Sequence, residues 1–150
     1  NIFSGDDLAI LSKKLFPKTK IAIITSHTEA IILSSIIKNI KPNALLIKND
    51  LTSEELLNAF TNLLNNKDHF TQTVLKIKNE TYSKDNYLDN YNSQILLLLS
   101  KGIQTKNLHN HLHLSISAIN KRKAFIKELF GIEKGNDEDI IKEAKKRGLI

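Results

Sequence analysis

Residues 94–130, QILLLLSKGIQTKNLHNHLHLSISAINKRKAFIKELF, decide how this chain is read. The stretch opens with a five-residue apolar run, residues 95–99, that a helix would bury. Gly102 is placed to stop that helix, and Gln104 or Thr105 starts a short second one through Leu108 and Leu112. A tight turn at His113 and Leu114 follows, after which Ser115 or Ser117 caps a third helix. The third helix carries Asn120, Lys121, Arg122 and Lys123 in its middle. Its spacing predicts Ile119, Phe125, Ile126 and Leu129 inward, with Gly131 at its end. From residue 90 to residue 127 there is no Asp or Glu, while six Lys and Arg fall there. A duplex binds chiefly through its phosphates and penalises carboxylates on the docking face, so an acid-free basic helix suits such a partner.

Working outward, Asp89 or Asn90 caps the apolar helix. After Gly135, residues 137–147 give a fourth helix with Ile140, Ile141 and Ala144 on one face, acids first and bases last. Two helices joined by a short turn, the second basic, make a helix-turn-helix on pattern alone.

The landmarks Ile95-Leu96, Leu98-Leu99, Gly102, Lys106, Leu108, Leu112, Leu114-Ser115, Ile119, Ile126 and Gly131 sharpen that pattern. With them, residues 88–132 resemble the LuxR-type (NarL-family) four-helix DNA-binding domain without a gap. The resemblance implies double-stranded DNA as partner and a homodimer, with the fourth helix as the usual dimer surface. It places Asn120, Lys121 and Ala124 against base edges, where Asn pairs with adenine, Lys reaches guanine and Ala touches a thymine methyl. Arg122, Lys123 and Lys127 are expected on phosphates, with Thr105, Lys106 and Ser117 completing the clamp. The sequence departs from the family at Asn92 (usually Glu), His109 (a small Ala between the two helices), His113 (a turn Gly), Ala118 (Thr) and Arg122 (His). His109 is expected to tilt the first helix of the motif against the second. His109, His111 and His113 form an HxHxH, but with no third ligand of the usual kind nearby no metal site is expected.

The first half has another character. Residues 7–15 place Leu8, Leu11 and Leu15 at helical spacing with Asp6 or Asp7 as cap, and Pro17 ends the helix. Residues 21–25 (IAIIT) and 44–47 (ALLI) read as buried parallel strands around a helix over residues 28–39. Thr52 or Ser53 caps a last helix to Leu64 that should turn Leu56, Leu57, Phe60, Leu63 and Leu64 inward. Helix, strand, helix, strand, helix is an α/β unit. The run from Phe16 to Ser26 and the residues Leu46-Ile47-Lys48-Asn49-Asp50 resemble the second half of a response-regulator receiver domain. That resemblance gives Thr25 the place of the hydroxyl that senses the phosphoryl group and Lys48 that of the lysine paired with it. Residue 1 falls just past the phosphoacceptor position, the acidic pair that binds magnesium has no counterpart, and Leu45 replaces a frequent switch aromatic. A fragment of a longer receiver is therefore expected. Magnesium and a sensor histidine kinase are implied only if a complete receiver precedes residue 1, and otherwise no cofactor is.

The fold class expected is a partial α/β receiver-like unit (1–70) with parallel strands, a polar linker (71–87), and an all-α four-helix LuxR-type helix-turn-helix domain (88–150). Composition agrees with a globular chain: 41% hydrophobic, 25% charged, net charge +6 and no cysteine. The charge is uneven, with eight Lys against seven acids in residues 1–70 and fourteen Lys and Arg against nine acids in 71–150. No apolar run is long enough to span a bilayer and no secretory leader opens the chain, so the cytoplasm is expected and no membrane partner. Ser26 and His27 at a strand end lack the glycine-flanked elbow of a nucleophile, and no enzyme is expected. The functional expectation is a sequence-specific DNA-binding transcriptional regulator of the two-component response-regulator type. The alternative is a non-catalytic interaction or dimerisation module using the same two units.

Overall fold

The computed structural model describes residues 4–82 and 88–150, and the chain divides into two compact units. In the first, α1 (Gly5–Leu15) is capped by Ser4, whose hydroxyl accepts the Asp7 amide at 3.1 Å. Asp6 and Asp7, expected as caps, lie in the first turn and complement the helix dipole there. β1 (Ala22–Thr25), α2 (Ala30–Asn39) and β2 (Ala44–Ile47) follow. The two strands run parallel, from Ala22 opposite Ala44 to Thr25 opposite Ile47. All four β2 residues are buried, as a central strand covered on both faces requires. A 3-10 turn (Lys48–Asp50) leads to α3 (Ser53–Leu64), where the Thr52 hydroxyl accepts the Glu55 amide at 3.1 Å.

β1, expected as a buried strand, is at the edge of the sheet with Ala22 and Ile24 exposed. Three further features of this unit differ from expectation. The sheet has a third strand, β3 (His69–Phe70), parallel to β2 with Ala44 opposite His69, in the order β1-β2-β3. Two residues are too few to show an alternation, so only the pairing reveals them. Next, the linker expected over 71–87 is helical as far as Tyr82: α4 is Gln72–Tyr82, and residues 83–87 lie outside the described ones. Thr71, Val74 and Ile77 are buried along one side of this segment. Asp50 fixes its start by accepting the Thr73 amide at 3.1 Å and hydroxyl at 3.0 Å. Burial pushes the Asp50 carboxyl up, but these bonds and the Thr71 hydroxyl outweigh it and hold it below its ordinary range. Third, α3 shows a different face to the sheet. Ala59 is buried in a cluster with Ala44 and Leu46, with Leu56 and Leu63 packed around it. Leu57, Phe60 and Leu64 point to solvent, 67%, 54% and 84% exposed. A small residue lets the helix lie close to the strand, which a count of large apolar side chains overlooks.

The second unit contains α5 (Asn90–Ser100), a 3-10 turn (Thr105–Asn107), α6 (His109–Leu112), α7 (Ile116–Phe130) and α8 (Asp137–Lys146). Ile95, Leu96, Leu108, Ile119, Ile126 and Ile140 are wholly buried in one core. Local chemistry sets the helix ends. Asp89 caps α5, Ser115 caps α7, and Asn136 and Asp139 form a reciprocal box at α8. Gly102 (φ 80°) and Gly131 (φ 71°) supply left-handed stops, with Ile103 N–H donating to Leu98 O and Ile132 N–H to Lys127 O. Phe125, expected inward, is 49% exposed. The buried stripe of α7 follows Ile119, Ile126 and Phe130, and Phe125 lies to one side of it.

Thr71 is fully buried, and its hydroxyl accepts the Ile47 amide at 3.2 Å. Thr71→Val keeps the shape and removes the acceptor, so it should destabilise the first unit by about 1–3 kcal/mol, read by urea unfolding against wild type.

Candidate nucleic-acid interface

The turn between α6 and α7 is made by His113 in the left-handed region (φ 52°), with its amide donating to His109 O at 3.1 Å. Ser115 then caps α7 by accepting the Ala118 amide at 3.2 Å. From this start, α7 exposes two adjacent i, i+4 rows: Ile116, Asn120, Ala124, Glu128 and Ser117, Lys121, Phe125. The rows hold one cation, Lys121, and one carboxylate, Glu128, in the last turn. The face is therefore short of charge.

The other three bases of α7 have partners inside the unit. Arg122 donates to Asp89 at 2.6 Å and to the buried Asn92 side chain at 3.1 Å, and its guanidinium lies 4.9 Å from the Tyr91 ring centre. Asn92 and Arg122, each a departure from the family pattern when taken singly, are thus one hydrogen-bonded pair. Lys123 pairs with Asp137 at 2.5 Å and donates to the Thr105 hydroxyl at 2.6 Å, and that hydroxyl donates to the other oxygen of Asp137. Lys127 donates to Gly135 O at 2.5 Å. The phosphate contacts expected of Arg122, Lys123, Lys127 and Thr105 are therefore set against intramolecular partners that brace α7. Lys106, on the 3-10 turn, is exposed. Two of the six bases in the acid-free stretch are paired by carboxylates from outside it, Arg122 by Asp89 just before and Lys123 by Asp137 ten residues after.

Burial pushes both carboxyls up, yet each is held below its ordinary range. For Asp89 the Arg122 bond and the Asn92 amide outweigh burial. For Asp137 the Lys123 and Thr105 bonds do so, with the charges of Lys123 and Lys127 adding.

The histidines are simpler than their spacing suggests. His109 is exposed, with its Nδ1 at 2.7 Å from Lys106 O, so it does not wedge between the helices as expected. Among the described residues no group of three or more His, Cys, Asp or Glu side chains is placed to hold a metal ion.

In the first unit, Thr25 ends β1 and Lys48 directly follows β2, so the parallel register brings both to one end of the sheet. The Thr25 hydroxyl accepts the His27 amide at 3.1 Å, and Lys48 is exposed. An open depression lined by Asp50, Glu55, Asp68 and His69 lies elsewhere in this unit. Its polar groups are partly closed on one another: His69 meets Glu55 at 2.8 Å and Asn62 at 2.9 Å. No sequence motif marks it, because its residues come together only through β3.

No family model and no curated protein matches the chain in sequence. Solved structures match it in fold. The Salmonella typhimurium RcsB response regulator aligns with TM-score 0.62 and 20% identity, covering 99% of this chain and 72% of that one. An RcsB–DNA complex aligns with TM-score 0.54 and 22% identity, covering 95% and 67%. RcsB from Salmonella enterica serovar Typhimurium bound to promoter P1flhDC aligns with TM-score 0.55 and 21% identity, covering 93% and 66%. The chain spans about two thirds of the length of such structures. It has their fold: a partial receiver-like α/β unit and a helical helix-turn-helix unit.

Two outcomes follow from this geometry. A depressed carboxyl contributes stability that is complete above the unfolded-state value, about 3.9, and is lost as pH falls through the folded value. The second unit should therefore lose stability below about pH 4, and Asp137→Asn should remove part of that slope in thermal melts across an acid series. His113→Gly relieves a left-handed side chain and should raise stability by about 0.5–1 kcal/mol, seen as a higher Tm.

Proposed function

We propose that the chain is a sequence-specific DNA-binding transcriptional regulator of the response-regulator type, working from the cytoplasm. One observation carries this reading: the exposed rows of α7 keep hydrogen-bonding and apolar side chains free, while neighbouring bases are spent on bracing the helix. A helix held this way can enter the major groove with its first turns against base edges. In the proposed roles, Asn120, Lys121 and Ala124 face bases. Ser117 and Lys106 meet phosphates at the helix starts. Arg122, Lys123, Lys127 and Thr105 position α7. Structures of RcsB dimers on DNA support a dimeric reading. A dimer through α8 would meet over charged residues, since Glu138, Lys142, Lys145 and Lys146 are exposed there, and so would weaken with salt. Thr25 and Lys48 are proposed as the switch end of a receiver-like sheet. A sensor kinase and magnesium belong to this reading only with a complete receiver. Among the described residues no helix is long and apolar enough to cross a membrane.

The second reading is a protein-interaction module, favoured by the exposed Leu57, Phe60 and Leu64 of α3. Fluorescence anisotropy with random duplex at low salt separates the two. Non-specific Kd values of roughly 10⁻⁴ to 10⁻⁶ M are expected of the regulator, and no binding at tens of micromolar favours the module. Lys121→Ala should cost about 1–3 kcal/mol on the preferred site and relax selectivity, whereas equal loss on random DNA would remove it from the base readers. Lys106→Ala should weaken all duplexes alike and reduce the salt slope by about one.

A further inference from the structure

The rows that α7 exposes are poor in guanine-reading groups and rich in apolar ones. Guanine is read best by Arg or Lys on its O6 and N7. Arg122 is committed to Asp89 and Asn92, and Lys123 to Asp137 and Thr105, so Lys121 alone among the bases of α7 keeps a free end on this face. Beside it, Phe125 is 49% exposed, and Ala124 occupies the neighbouring row. An apolar pair on a face that meets the major groove finds one apolar group there, the C5-methyl of thymine. One turn earlier on the Ala124 row stands Asn120, whose amide matches the donor and acceptor of adenine.

We propose that α7 reads A·T pairs, with Asn120 on adenine and Ala124 and Phe125 on thymine methyls. The inference rests on the DNA-binding reading, narrows its base contacts to A·T pairs, and adds a residue, Phe125, expected inward but exposed. Four residues rise about 6 Å along the helix, close to two base-pair steps of about 3.4 Å. The adenine and the methyl contacts therefore fall within one short A·T-rich core. Glu128, the next residue on the Asn120–Ala124 row, repels phosphate and bounds that core on the carboxyl-terminal side.

The test uses the full chain. Its preferred duplex is first selected from a random pool, and each thymine of the core is then replaced in turn by deoxyuridine. This keeps every hydrogen-bonding group and removes the methyl. The expected core is A·T-rich, with affinity falling about fourfold per contacted methyl, the equivalent of about 0.8 kcal/mol for one buried methyl-sized group. In Phe125→Ala, an exposed position that the fold tolerates, at least one of these losses should vanish. A G·C core, or indifference to uracil at every position, overturns the inference while leaving DNA binding intact. So does a methyl preference unchanged in Phe125→Ala. Failure to bind any duplex overturns the DNA-binding reading itself and the inference with it.

Discussion

The Asp137 carboxylate accepts from Lys123 at 2.5 Å and from Thr105 at 2.6 Å, and these two bonds join the 3-10 turn before α6, the middle of α7 and the start of α8. Lys123 is 14% exposed and Asp137 33%, so salt screens this pair less than a pair at the open surface. The loss of either partner would leave the other partly buried and uncompensated, which disfavours any rotation of α7 that breaks the pair. Asp89 and Arg122 form a second, more exposed link at the first turn of α5, 54% and 29% exposed. The rotation of α7 about its own axis, and with it the set of side chains shown to solvent, follows from these two anchors and the buried stripe of Ile119, Ile126 and Phe130.

The anchors change the meaning of a basic sequence. Four consecutive or near-consecutive bases suggest a phosphate-binding surface, and Lys-Arg-Lys at 121–123 is read that way from charge alone. In the folded unit only Lys121 of those three remains outward, because a helix turns each residue about 100° from the last and Arg122 and Lys123 reach partners beneath. Asp89 stands one residue before the acid-free stretch and Asp137 ten residues after it, and net charge over a window gives no hint that they reach into it.

What the sequence shows well is what local chemistry decides. Thr52, Asp89 and Ser115 cap the helices expected of them, and Gly102 and Gly131 stop theirs, since each needs only neighbours within four residues. β2 is equally plain, as an uncharged run too short for a helix. What it conceals depends on distant partners. β3 exists because His69 and Phe70 pair with Ala44 and Leu45, and α4 because Val74 and Ile77 find a buried place and Asp50 meets Thr73. The face of α3 is misjudged for a related reason: Ala59 contributes little apolar area but allows close approach to the sheet. At the candidate interface, Asn120, Lys121 and Ala124 are named by the resemblance and are exposed in the fold, whereas the exposure of Phe125 and the partners of Lys123 come only from the fold.

On the DNA-binding proposal, the near-neutral exposed face of α7 also bears on kinetics. Contact with random duplex comes mainly from phosphate neutralisation, and a face with one cation and one carboxylate releases few counterions. A chain of this kind would leave non-target DNA quickly and search by short visits rather than long slides. Its discrimination would then lie in dwell time, since related complexes differ mostly in how slowly they come apart.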